Sequence, residues 1–169
     1  RLTAGYYFYD LNAKVNHKFN NNDRLYLSLY MGDDIIYTNY RNSYKYKGGE
    51  QGSFTEESSR LKLGWNWGNI VSSARWSHMI NNKLFMNTTA AYTRYRFDMG
   101  VGMEVKYLQA APDSIYSGSS NINMGYKTGI EDFTLKSDFE YLPHPDHEIK
   151  FGLNHTYHTF KPGVSILSI

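Results

Sequence analysis

The chain has 169 residues, 18 Lys and Arg against 16 Asp and Glu for a net charge of +2, and no cysteine. Near-neutrality without a basic run excludes an electrostatic nucleic-acid footprint, and the missing cysteines exclude disulfide frameworks and thiolate metal sites. A mean hydropathy of −0.59, with no run near the roughly 18 apolar residues of a membrane helix, excludes helical spans.

The first predicted element alternates over Tyr7 to Phe19. Tyr7, Tyr9, Leu11, Ala13, Val15, His17 and Phe19 take one side, and Asp10, Asn12, Lys14, Asn16 and Lys18 the other. Period 2 of this length means a strand with opposed faces. Asn20-Asn21-Asn22-Asp23 predicts a tight turn, because Asn and Asp bond to their own main chain. A second strand follows, with Leu25, Leu27, Leu29 and Met31 against Arg24, Tyr26, Ser28 and Tyr30. From Asp33 to Ser59 the pattern dissolves, and a long polar, Tyr-rich loop is expected.

Alternation resumes with Leu61, Leu63, Trp65 and Trp67, then shifts to Ile70, Ala74, Trp76 and Ile80. That slip predicts a β-bulge at Trp67-Gly68-Asn69. Asn81-Asn82 is the next short turn, and Leu84, Met86, Thr88, Ala90 and Tyr92 form a fourth strand. Asp98 to Asn121 is expected as a second long loop. The fifth strand sets Phe133, Leu135, Phe139 and Tyr141 against Asp132, Thr134, Lys136, Asp138 and Glu140. Pro143-His144-Pro145-Asp146 turns it into a sixth, with Ile149, Phe151, Leu153, His155 and Tyr157 on one side. Pro162-Gly163 is expected to close that strand, and Val164 to Ile169 are too short to place.

The expected fold is therefore all-β: an antiparallel transmembrane β-barrel segment of about six long strands, with short periplasmic turns and long extracellular loops. A barrel reconciles low hydropathy with 17% aromatic residues, 16 of them Tyr, because only every second residue meets lipid and Tyr gathers at the interfaces. A soluble β-sandwich is the rival fold, but its strands usually run about 5–6 residues. Arg1 starts within a pattern, so the chain is expected to be a fragment, with residues 1–169 forming part of an outer-membrane barrel domain.

Several motifs carry a family resemblance. Tyr7-Phe8-Tyr9-Asp10-Leu11-Asn12-Ala13-Lys14-Val15 with Asp23-Arg24-Leu25-Tyr26-Leu27-Ser28 resembles the barrel of TonB-dependent outer-membrane receptors. Trp67-Gly68-Asn69, Arg75-Trp76-Ser77-His78 and Asn82-Lys83-Leu84-Phe85 are similar to the same barrels. So are Gly129-Ile130-Glu131-Asp132-Phe133, Ile149-Lys150-Phe151-Gly152 and Phe160-Lys161-Pro162-Gly163. The resemblance implies energy-coupled uptake of a scarce ligand such as a siderophore, haem, cobalamin or an oligosaccharide. It also implies as partners outer-membrane lipid, a plug domain and further strands of the full-length chain, the TonB complex acting through that plug, and a surface lipoprotein. A passive porin or other non-TonB barrel shares every strand signal and is the alternative.

Tyr37, Tyr40, Tyr44 and Tyr46, with Lys45 and Lys47, are the ligand-binding candidates, since tyrosines stack and hydrogen-bond at low entropic cost. Asp10, Lys14, Arg24, Lys136, Asp138 and Glu140 are expected to face the lumen or a plug. His155 and His158 should point to opposite faces, and His144, His147 and Asp146 share a solvated turn, so no metal site is expected. No cofactor is implied. No Gly-x-Ser-x-Gly elbow or paired nucleophile and base occurs, so no enzyme is expected, and an outer-membrane enzyme has no residue support.

Overall fold

The computed structural model describes residues 1–49 and 52–168. Six strands form one antiparallel sheet in chain order: β1 (Leu2–Lys18), β2 (Asp23–Lys47), β3 (Phe54–Asn81), β4 (Leu84–Ala111), β5 (Ser114–His144) and β6 (His147–Ser168). No helix occurs among the described residues. Each strand touches only its sequence neighbours, and β1 and β6 do not pair with each other.

The short turns form for the expected local reason. The Asn20 side-chain oxygen accepts from the backbone amides of Asn22 and Asp23 at 2.7 and 2.9 Å. The Asn20 amide group donates to the Asp23 carboxylate at 2.8 Å. This reversal at β1–β2 is the side-chain mimicry of a backbone turn that Asn and Asp favour. Asn82–Lys83 and Pro145–Asp146 make the other two reversals at the same end of the sheet.

Both expected long loops are instead mostly strand, closing only beyond Lys47 and at Pro112–Asp113. β2 and β3 stay paired from Asp33↔Gly68 out to Lys47↔Phe54. β4 and β5 stay paired from Asp98↔Lys127 to Ala111↔Ser114. Of the first predicted loop, Glu50 and Gln51 lie outside the described residues. The apolar pattern dissolved there because apolarity changes face, while the backbone ladder continues. Its polar groups are satisfied by the neighbouring strand, as an extended segment requires.

The expected bulge at Trp67-Gly68-Asn69 is absent. The ladder runs through it on both sides, with Asp34↔Trp67, Asp33↔Gly68 and Gly32↔Asn69, then Trp67↔Phe97 and Gly68↔Arg96. Gly68 has a different cause: a Cβ there would collide with the Asp33 carboxylate. Register shifts fall elsewhere, between Met79 and Asn81, between Lys127 and Gly129, and between Tyr141 and His144. Pro162-Gly163 does not close β6. It occupies the irregularity between Gly129↔Lys161 and Lys127↔Val164, where proline is tolerated because no ladder donor is needed. Residues from Val164 to Ser168 then pair with β5, and Ile169 lies outside the described residues.

Among the described residues the sheet has no buried apolar core. A strand of 28 residues such as β3 extends roughly 90 Å, far beyond the apolar band of a bilayer, about 25 Å tall.

Candidate functional site

Residues directly opposite in an antiparallel ladder share a face. The registers therefore sort every side chain onto one of two faces. The first face carries Leu27 with Val15, Ala74, Ala90, Leu135 and His155 in a single row. The second carries Ser28 with Lys14, Ser73, Ala91, Thr134 and Thr156.

Near the short turns the first face is apolar and aromatic. Tyr92 meets Phe133 at a ring-centroid distance of 4.8 Å, and Phe139 stacks on Phe151 at 5.1 Å. The borders of this band cross the rows at a slant. One row reads Leu11, Met31, Ile70 and then Arg94, Glu131, Thr159, apolar on β1–β3 and polar on β4–β6. Near the turns another row reads Asp23, His78 and then Met86, Phe139, Phe151, with the order reversed. Hydrogen-bonded rows run perpendicular to the strands. A band level with a membrane must therefore cut the rows obliquely when strands are tilted, as in membrane barrels.

Ion pairs begin where the band ends. Arg96 reaches Asp33 at 2.8 Å, Tyr9 donates to the same carboxylate at 2.5 Å, and Lys161 pairs with Glu131. Farther out, well beyond the band, the Lys106 ammonium bonded to Glu104 holds that carboxyl below its usual range.

Behind the band the second face is polar. Asp10, Lys14, Arg24, Lys136, Asp138 and Glu140 all lie on it, opposite Gly32, Ser28, Ser77, Thr89, Asn87 and Phe85. Ser28 and Ser73 share a hydrogen bond at 2.8 Å, as do Thr134 and Thr156 at 3.1 Å. Lys136 pairs with Asp138 at 2.7 Å, and the Arg75 guanidinium lies 4.4 Å from the centre of the Tyr26 ring.

Farther from the short turns the second face becomes apolar. Trp67 and Trp65 sit beside Phe97 and Met99, and Leu63 beside Val101 and Met124. The bulge expected at Gly68 would have kept these tryptophans on the face of Ile70, Ala74 and Trp76. Continuous register puts them on the opposite face, so the sheet inverts its amphipathy along its length.

The four candidate tyrosines lie on strand β2, not in a loop, and they do not converge. Tyr37 is on the first face, opposite Gly5 and Gly64, and a Cβ at Gly5 would touch its ring. Tyr40, Tyr44 and Tyr46 are on the second face, with Tyr44 and Tyr46 stacked at 6.2 Å. Lys45 covers the Phe54 ring at 4.2 Å. His155 and His158 are on opposite faces, opposite Leu135 and Asp132. The His144 and His147 rings lie 5.8 Å apart, and no group of three or more His, Asp or Glu among the described residues could hold a metal ion.

No family model and no curated protein matches the chain. Ail, the attachment invasion locus protein of Yersinia pestis, is a solved structure it resembles at 9% identity, over 94% of this chain and 96% of that one, with a TM-score of 0.24. The KdgM porin in complex with disordered oligogalacturonate gives 15% identity over 96% and 98%, with a TM-score of 0.14. The ferric-catecholate import receptor Fiu of E. coli K12 gives 7% identity over 99% of this chain and 48% of that one, with a TM-score of 0.21. None of these superpositions is close.

Proposed function

We propose that the chain is a section of the wall of an outer-membrane β-barrel that admits a polar solute. The observation that carries this reading is the slanted apolar band on one face with a charged, hydrogen-bonded face behind it. Lipid solvates the first face, water fills the lumen on the second, and the short turns lie on the periplasmic side. Such a wall needs no energy coupling, and the geometry supports a passive or otherwise TonB-independent barrel best. A second reading, a TonB-dependent receptor with plug and lipoprotein partners, is favoured by the sequence motifs from Tyr7 to Ser28 and from Gly129 to Gly163. Neither reading involves catalysis.

Reconstitution of the full-length protein into a planar bilayer tests the choice. Steady conductance of small ions without an energy source supports the passive barrel. A silent bilayer, together with cellular uptake that stops when the proton-motive force collapses, replaces it with the receptor.

A further inference from the structure

Toward the short turns, the second face of β1, β2 and β3 gathers cations without carboxylates. Lys18 and Arg24 share one row, the next holds Asn16, Tyr26 and Arg75, and the next Lys14, Ser28 and Ser73. Tyr26 holds the two arginines together. Arg24 donates to its hydroxyl at 3.4 Å, and the Arg75 guanidinium lies 4.4 Å from its ring centre. Lys18 donates to the Asn21 side chain at 2.9 Å. Lys14 is exposed and has no side-chain partner among the described residues. The carboxylates of this face are distant or already paired. Asp10 stands two rows beyond Lys14, roughly 13 Å along β1, and Asp34 and Glu57 stand farther out. The second face of β4 has none. Asp138 pairs with Lys136, Asp132 with His158, and Glu140 and Glu148 share Lys150. Asp23, next to Arg24, turns to the first face, where His78 and the Trp76 indole hold it. Like charges gathered at one ring repel, and the sheet supplies no counter-charge for them. A hollow of about 440 Å³ opens at this place, bordered by Lys14, Asn16, Tyr26, Ser73, Arg75 and Thr89.

We propose that this hollow binds a small polyvalent anion carrying two or more carboxylate or phosphate groups. Arg75 and Lys14 contact it directly, and Arg24 and Lys18 add to the field. The inference rests on the membrane-wall reading, in which this face lines the lumen, and it names the class of the polar solute. Three arguments support it. The guanidinium fork of Arg75 matches the geometry of carboxylate and phosphate. Lys14 and Arg75 come from β1 and β3, whose backbones are about 10 Å apart, so they suit acid groups set apart on one molecule rather than a single one. Asn16, Ser73 and Thr89 add neutral donors to the same hollow. Arg and Lys gathered at a lumen favour anions in the same way in other pores.

The test uses the full-length protein purified in detergent, with binding followed by isothermal titration calorimetry, which reads the site whether or not the barrel conducts. Citrate and pyrophosphate are the probes. Wild type is expected to bind at least one of them, at least about tenfold more tightly than acetate, because two cations then act together. Binding of citrate alone assigns carboxylate groups, and binding of pyrophosphate alone assigns phosphates. Neutral triethyl citrate and cationic spermine are expected not to bind. Arg75→Gln and Lys14→Gln are each expected to weaken binding roughly tenfold, the loss of one charge-assisted contact, and Arg75→Lys to weaken it less. Lys106→Gln, on the first face and paired with Glu104, is expected to leave it unchanged. If the Arg75 variants do not fold, Lys14→Gln decides, since Lys14 has no side-chain partner to lose. No binding of either probe by wild type, acetate bound as tightly as the probes, or binding unchanged by Lys14→Gln would each overturn the assignment. Carbonate-resistant membrane association of the wild type is read separately. Its loss overturns the wall reading itself, whereas an embedded protein indifferent to both probes overturns only this inference.

Discussion

Leu27→Arg against Ser28→Arg tests the facing of the wall with adjacent residues. Leu27 sits between Val15 and Ala74 on the first face, inside the apolar band, and 45% of its surface is uncovered by protein. In the proposed barrel wall that surface would be covered by acyl chains. An arginine there must hold its charge in hydrocarbon, at about 2–4 kcal/mol near the midplane. Ser28 points the other way. Its replacement loses the 2.8 Å bond to Ser73, about 1 kcal/mol or less at a partly exposed site. It also places a second cation beside Lys14, which water screens. The gap between the two variants is therefore about 2 kcal/mol, roughly thirtyfold in the folding equilibrium. Urea titration of the full-length protein in lipid vesicles, followed by tryptophan emission, measures both. Equal costs, or a higher cost at Ser28, would refute the assignment of lipid to the first face.

Single-tryptophan variants test the inversion of the faces. Brominated acyl chains should quench Trp76 and spare Trp65 and Trp67. Quenching of Trp67 as strong as that of Trp76 would restore a bulge at Gly68 and return both to one face. Gly68→Ala should lower stability by about 1–2 kcal/mol in the same urea titration, because the new methyl displaces the Asp33 carboxylate from Arg96. The cost should shrink in an Asp33→Ala background, and an unchanged cost would mean the collision is elsewhere. Asp23→Ala removes the acceptor for the Trp76 indole at 3.0 Å and for the Asn20 amide at 2.8 Å. It should cost about 1–2 kcal/mol, and a neutral variant would show that the turn is held by its backbone alone.

Local chemistry made half of this fold legible in the sequence. Strict alternation from Tyr7 to Lys18, from Arg24 to Met31, from Asp132 to Tyr141 and from Ile149 to Tyr157 determined strands and their two faces, because side-chain direction has period 2 whatever the neighbours are. Asn20 to Asp23 determined a reversal, because those side chains supply their own acceptors. The same logic grouped Asp10, Lys14, Arg24, Lys136, Asp138 and Glu140 on one face. It failed from Asp33 to Ser59 and from Asp98 to Asn121, where polar and apolar residues exchange sides and mimic a loop. Only pairing with a neighbouring strand shows that the backbone there is still extended. Register is a relation between distant segments, such as Asp33 with Gly68 and Gly68 with Arg96, and no local pattern contains it. Tertiary structure alone therefore decided that Trp65 and Trp67 lie on the face away from Leu27, that the candidate tyrosines part company, and that the apolar band runs aslant across the rows.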